Sequence, residues 1–205
     1  MIDTILSVVQ QVAVFSLIPL VFYLIRRPKP LSFWQYIGLT PSTRKANLLA
    51  LALSLFLATF MLVLTSTNTA IADIMTHPKS VTGAIRQLDS GAEAVLTIGL
   101  VAIFKTAFAE EVFFRGFLAK RLIAMTNFWT GTVIQAVIFG AIHSLFFAMV
   151  TTNFWFLALI FVVPTLGAVV KTYLNEKLAY GSIVPGWIAH ASGNALAYSY
   201  VAFIL

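Results

Sequence analysis

Residues 109–116 read Ala-Glu-Glu-Val-Phe-Phe-Arg-Gly (AEEVFFRG), which places two adjacent carboxylates and an arginine inside one of the most apolar parts of the chain. They fall at the end of an apolar run over 93–114, long enough to cross the hydrocarbon core of a bilayer. Similar runs flank it on both sides, at roughly 4–25, 47–67, 128–150, 154–171 and 184–204. In lipid every backbone amide must be satisfied within its own segment, so runs of this length predict helices. The fold class that follows is all-α: a polytopic transmembrane helix bundle of about six spans, or seven or eight if half-helices are counted.

Composition agrees. Of the 205 residues 60% are hydrophobic and only 10% charged, and mean hydropathy is +0.95, whereas an ordinary soluble domain carries about 25% charged residues. A single membrane-embedded domain over 1–205 is expected, with its motif-bearing core at 93–204. The first run is expected to be a retained first helix and not a signal peptide, because Asp3 precedes it and its basic cluster (Arg26, Arg27, Lys29) follows it. Cysteine is absent, which excludes disulfides, thiolate catalysis and cysteine-based metal centres.

The net charge of +6 does not argue for a nucleic-acid partner, because the basic residues sit in short loops beside the apolar spans. With six crossings, one side collects Arg26, Arg27, Lys29, Arg44, Lys45, Lys120, Arg121, Lys171 and Lys177, and the other only Lys79 and Arg86. Excess Lys and Arg marks the cytoplasmic side, so both termini are expected outside. The long outside loop at 68–92 has turn signals at His77-Pro78 and Asp89-Ser90-Gly91, with room for a short surface helix.

Inside the spans the ionisable residues fall at helical spacing. Glu111 and Arg115 are four apart and share a face, and a paired carboxylate is far cheaper to bury than a lone one. Glu110 is rotated about 100° from Glu111 and is free to face the interior as a base. His143 lies in a second span, one turn after Phe139, and His190 lies in the last, one turn before Asn194. A base for water, imidazoles to position it and donors for an oxyanion are the parts needed to hydrolyse an amide. Structural readings stand beside these: an ion cluster at headgroup level for the glutamates and Arg115, and a packed core residue for His143. Lys105 is read as a pairing partner or polar lining residue, His77 as a solvated loop residue. Ser144 and Ser192 lie in no nucleophile-elbow pattern.

The ordered set E-E-x-x-x-R (Glu110, Glu111, Arg115), F-x-x-x-H (Phe139, His143) and H-x-x-x-N (His190, Asn194) resembles the CPBP family of intramembrane proteases. That family is also called the CAAX protease and bacteriocin-processing or Abi family, and it includes the type II CAAX prenyl endopeptidases. The juxtamembrane stretch Phe33–Leu39 is similar to one common in bacterial members. The resemblance implies hydrolysis of a peptide bond within the bundle, in a membrane-associated or prenylated peptide. By resemblance, Glu110 and His143 activate water, His190 and Asn194 stabilise the oxyanion, Glu111 supports the site and Arg115 holds Glu111, with Phe139 as structural support. It further implies a multi-pass protein of the bacterial plasma membrane, with a peptide or lipidated peptide as substrate and membrane lipids as surroundings.

Members are often classed as metalloproteases, yet a metal-free glutamate mechanism fits the family too. Glu110, His143 and His190 are the ligands a divalent metal such as zinc would take, although no H-E-x-x-H pairing occurs. Two other classes use the same residues: a non-catalytic bacteriocin immunity or peptide-binding protein, and a small transporter. The transporter predicts symmetric broken helices, which the sequence lacks.

One expectation strains the physics. If the fourth span starts near Phe128, His143 lies about 22 Å along it, whereas Glu110 and His190 lie near the cytoplasmic ends of theirs. Convergence then requires strong tilt, a re-entrant bend around Gly131, or displaced span boundaries.

Overall fold

The computed structural model describes residues 1–26, 30–88 and 91–205. Arg27 and Lys29 of the basic cluster, and Asp89 and Ser90 of the turn signal, lie outside the described residues. The described residues are helical in nine segments: α1 (Ile2–Arg26), α2 (Phe33–Tyr36), α3 (Arg44–Thr67), α4 (Thr69–Met75), α5 (Val81–Arg86), α6 (Ala92–Met125), α7 (Phe128–Ala148), α8 (Phe154–Leu178) and α9 (Val184–Phe203). Five of them (α1, α3, α6, α7 and α8) are long and apolar enough to span a bilayer. The expected sixth run forms α9, 20 residues long, but His190, Ser192 and Asn194 keep it outside that group. Short polar caps punctuate the chain. Ser32, Thr43, Asn68, Ser80, Asn127 and Asn153 each accept a backbone N–H of the helix they start, satisfying donors that have no partner within the helix.

Two boundaries differ from the sequence expectation, and both differences matter. The third run continues past 114 to Met125 as one 34-residue helix. At no more than 1.5 Å per residue it is at most about 51 Å long, still well beyond a hydrocarbon core of about 30 Å. Its charges do not stop it, because Glu111 and Arg115 pair within it. The fifth run continues through Lys171 to Leu178, seven residues past its expected end, so its polar tail is helix. The loop at 68–92 holds two short helices, α4 and α5.

The longer α6 removes the depth conflict. α6 and α7 form an antiparallel hairpin, with Glu110 fifteen residues before Met125 and His143 fifteen residues after Phe128. Each lies about 22 Å from the shared turn, so the two come level. α7 runs unbroken through Gly131. That glycine serves the hairpin instead: a Cβ there would strike the backbone of Leu122 and Ile123.

The start of α9 is held by loop contacts. Ile183 N donates to Gly38 O at 2.8 Å and Ser182 Oγ to Thr40 O at 2.7 Å. Lys120 Nζ bridges Glu176 Oε1 at 2.6 Å and Gly181 O at 2.7 Å. Along α3, Ala46, Ala50, Ser54 and Ala58 repeat every fourth residue as a buried stripe of small side chains, the surface against which a neighbouring helix approaches closely. α9 lies along α3, and Ser54 meets Ser192 at 2.8 Å. Both termini lie at one end of the bundle: the Met1 amine pairs with Glu93 at 2.9 Å and Arg86 donates to Leu205 O at 2.7 Å.

Candidate active site

The site forms where α6 departs from regular α-helix. It is π-wound over Val101–Phe108 and again over Glu111–Ala119, with Glu110 at the junction. Such wide turns recur at functional sites because they re-aim side chains along a helix. Here they send adjacent carboxylates into different surroundings.

Glu111 is fully buried, with 0% exposure. Its Oε1 accepts hydrogen bonds from Lys171 Nζ of α8 at 2.9 Å and from His190 Nδ1 of α9 at 3.0 Å. Arg115 Nη1 lies 3.2 Å from the same oxygen, an ion pair at the predicted i,i+4 spacing but without hydrogen-bond alignment. Oε2 sits against Gly186, where a Cβ would come within 2.6 Å of it. Gly186 N is in turn fixed by Asn175 Oδ1 at 2.8 Å. This corner therefore ties α6, α8 and α9 together through one carboxylate.

Phe139 underlies the corner. The Arg115 guanidinium stands 4.1 Å from its ring centroid and Lys171 Nζ 5.1 Å, so the π face stabilises both cations where water does not reach. The Phe139 carbonyl accepts from His143 Nδ1 at 2.8 Å. F-x-x-x-H thus has a physical meaning: the ring carries the cations, and the backbone one turn earlier orients the histidine.

Both histidines follow the same logic. A carbonyl and a carboxylate can only accept, so His143 and His190 each carry the proton on Nδ1 and present a lone pair at Nε2. Both Nε2 atoms face Glu110 Oε2, His190 at 3.7 Å and His143 at 3.9 Å. That oxygen is buried and has no hydrogen-bond partner. The Glu110 side chain also reaches a cleft of about 650 Å³ between α1, α6 and α7, lined by Gln10, Gln11, Phe15, Lys105, His143 and Phe146 among others. Glu110 Oε2 and His143 Nε2, converging at one end of a cleft, are suited to accept the two O–H bonds of a water and to take a proton from it.

The structure thus brings Glu110, Glu111, Arg115, Phe139, His143 and His190 together. Asn194 lies one turn beyond His190 and donates to Thr106 Oγ1 at 2.9 Å, four residues before Glu110 on α6. Lys105 lines the cleft and forms no ion pair among the described residues. His77 lies in the turn between α4 and α5. Ser144 donates to Leu157 O and Ser192 to Ile188 O, so both hydroxyls are engaged with backbone. Among the described residues no group of three or more His, Cys, Asp and Glu side chains is arranged to hold a metal ion. The charges nearby also balance without one, with Arg115 and Lys171 set against Glu110 and Glu111.

Sequence reasoning missed Lys171, Asn175, Thr106 and Gly186. The charge pattern groups Lys171 with the basic residues of one side, but its side chain is buried within α8. The available signal was its spacing. Lys171 and Asn175 are four apart on one helical face, the same interval that links Glu111 to Arg115, Phe139 to His143 and His190 to Asn194.

No curated protein and no solved structure matches the chain at a significant level. The family described as type II CAAX prenyl endopeptidase Rce1-like matches residues 92–196, just over half of the chain and all three motifs. The chain is therefore a multi-spanning membrane protein that belongs to the Rce1-like CAAX prenyl endopeptidase family.

Proposed function

We propose that the protein is an intramembrane endopeptidase that hydrolyses a peptide bond in a membrane-associated or prenylated peptide. The observation that carries this reading is the approach of two imidazole Nε2 atoms to one buried carboxylate oxygen of Glu110 at the end of a cleft. Glu110 takes one proton of the attacking water, whose other O–H is held by His143 Nε2, as the water oxygen adds to the scissile carbonyl. The proton then passes to the leaving amine, which restores Glu110.

Negative charge that develops on the carbonyl oxygen falls to His190 and Asn194. To donate at Nε2, His190 takes up a proton from solvent before the water attacks and keeps it through turnover, and Glu111 at its Nδ1 balances the imidazolium. Asn194 has one N–H engaged with Thr106 and a second to offer. Arg115 and Phe139 act through Glu111 and His143.

Val14, Phe15, Ile18 and Phe146 give the cleft apolar walls, which suit a lipidated or apolar segment, while Ser7, Gln10 and Gln11 offer hydrogen bonds to its backbone. Residues 1–205 form one domain in this reading, with 93–204 as the catalytic core and α1 as one cleft wall. α9 crosses as a sixth span, its polar groups turned towards α3 and α6. The end carrying Arg26, Arg44, Lys45, Lys120, Arg121 and Lys177 faces the cytoplasm of a bacterial cell, with both termini outside.

The test is cleavage of a panel of quenched peptides, prenylated and leader-type, by the purified protein and by Glu110→Ala. Cleavage lost with Glu110→Ala supports the reading. Full biological activity of Glu110→Ala in cells contradicts it and favours the peptide-binding alternative.

A further inference from the structure

Lys171 takes no part in the mechanism above, yet it is buried deep in α8 and bonded at 2.9 Å to Glu111 Oε1. Charge neutralisation alone does not account for it, because Arg115 already lies 3.2 Å from that oxygen. The difference is directional. Arg115 Nε, Nη1 and Nη2 are all buried without a hydrogen-bond partner, so this guanidinium competes for the Glu111 carboxylate, which it can bind through two parallel bonds. Turning the carboxylate to satisfy Arg115 would draw it from His190 Nδ1. The Lys171 ammonium, a compact point charge approaching from a third helix, opposes that turn.

We infer that Lys171 is a positioning residue: it holds the Glu111 carboxylate towards His190 and so keeps the His190 ring with Nε2 facing Glu110. Its position supports this. Lys171 stands over the same Phe139 ring as Arg115, at 5.1 Å, so the two cations flank Glu111 from neighbouring helices. Asn175, one turn further along α8, fixes Gly186 at the start of the helix that carries His190. One face of α8 therefore sets both the origin of α9 and the orientation of its histidine.

The kinetic arm of the test rests on the protease reading; the spectroscopic arm does not. In protein labelled with ¹⁵N-histidine, three residues report, and the nitrogen shifts give the tautomer of His190 directly. In Lys171→Met the fixed Nδ1–H signal of His190 is expected to give way to a mixture of tautomers. Turnover should then fall about 10- to 100-fold, the loss of a hydrogen bond to a charged group, with KM within about twofold because no substrate contact is removed.

An unchanged tautomer in Lys171→Met, or a loss that appears in KM alone, overturns the inference. If Lys171→Met does not fold, the comparison moves to Glu111→Gln with and without Lys171→Met, which removes the unbalanced charge. Identical His190 spectra in that pair support action through Glu111, and different spectra overturn it. If the native protein cleaves nothing, the tautomer measurement still decides the role of Lys171.

Discussion

The two sides of the site differ more than their sequence separation suggests. The corner where α6, α8 and α9 meet surrounds Glu111 with Arg115, Lys171 and His190 and leaves it 0% exposed. The cleft between α1, α6 and α7 leaves the neighbouring Glu110 side chain 15% exposed, with imidazoles across a gap in place of cations. One carboxylate is locked by partners that it cannot lose cheaply; the other keeps an oxygen free for chemistry. Adjacent positions on a helix can divide labour in this way because each residue step turns the side chain to another face, here at the junction of two π-wound segments.

The contrast can be broken from either side. The largest expected effect is Glu110→Gln, which keeps size and removes the base: turnover should fall on the order of 10³-fold, within the usual range for general-base loss, with the unfolding temperature in detergent unchanged. Glu111→Ala should act in the opposite way. It leaves Arg115 and Lys171 buried without their counter-charge, and unfolding measurements should show a loss of about 3–5 kcal/mol. A stable Glu111→Ala protein would remove the distinction between a structural and a reactive glutamate.

A smaller effect is expected from Gly186→Ala, whose Cβ meets Glu111 Oε2 at 2.6 Å and Asn175 Nδ2 at 2.8 Å. Overpacking of this kind costs about 1–3 kcal/mol, and turnover should drop as His190 shifts with its helix. The smallest effect belongs to the cleft wall. Gln10→Ala and Gln11→Ala should each raise KM about two- to tenfold, the worth of one hydrogen bond, with turnover kept. A loss of turnover there would move α1 from substrate binding into the chemistry.

The fold was legible in the sequence because bilayer physics leaves few options: the apolar runs became helices, and the i,i+4 intervals named the residues that converge. Boundaries were less legible, for a physical reason. Hydropathy counts Glu110, Glu111 and Arg115 as ends of a span, but paired charges need not leave the membrane, so α6 runs on to Met125. That error created the apparent mismatch in depth between Glu110 and His143. The partner of Lys171 was not legible for a related reason. A lysine near the end of an apolar run looks like a headgroup anchor until its partner, sixty residues away at Glu111, is known. Gly186 owes its role to tertiary contacts alone.

The central claim is that Glu110 and His143 act on a single water. Turnover of Glu110→Gln, His143→Gln and the double variant tests it most directly, with unfolding temperatures taken alongside. Groups that act as one unit do not add, so the double variant should be about as slow as the slower single variant. Losses that multiply would show two independent contributions, and full turnover by Glu110→Gln would remove Glu110 from the reaction.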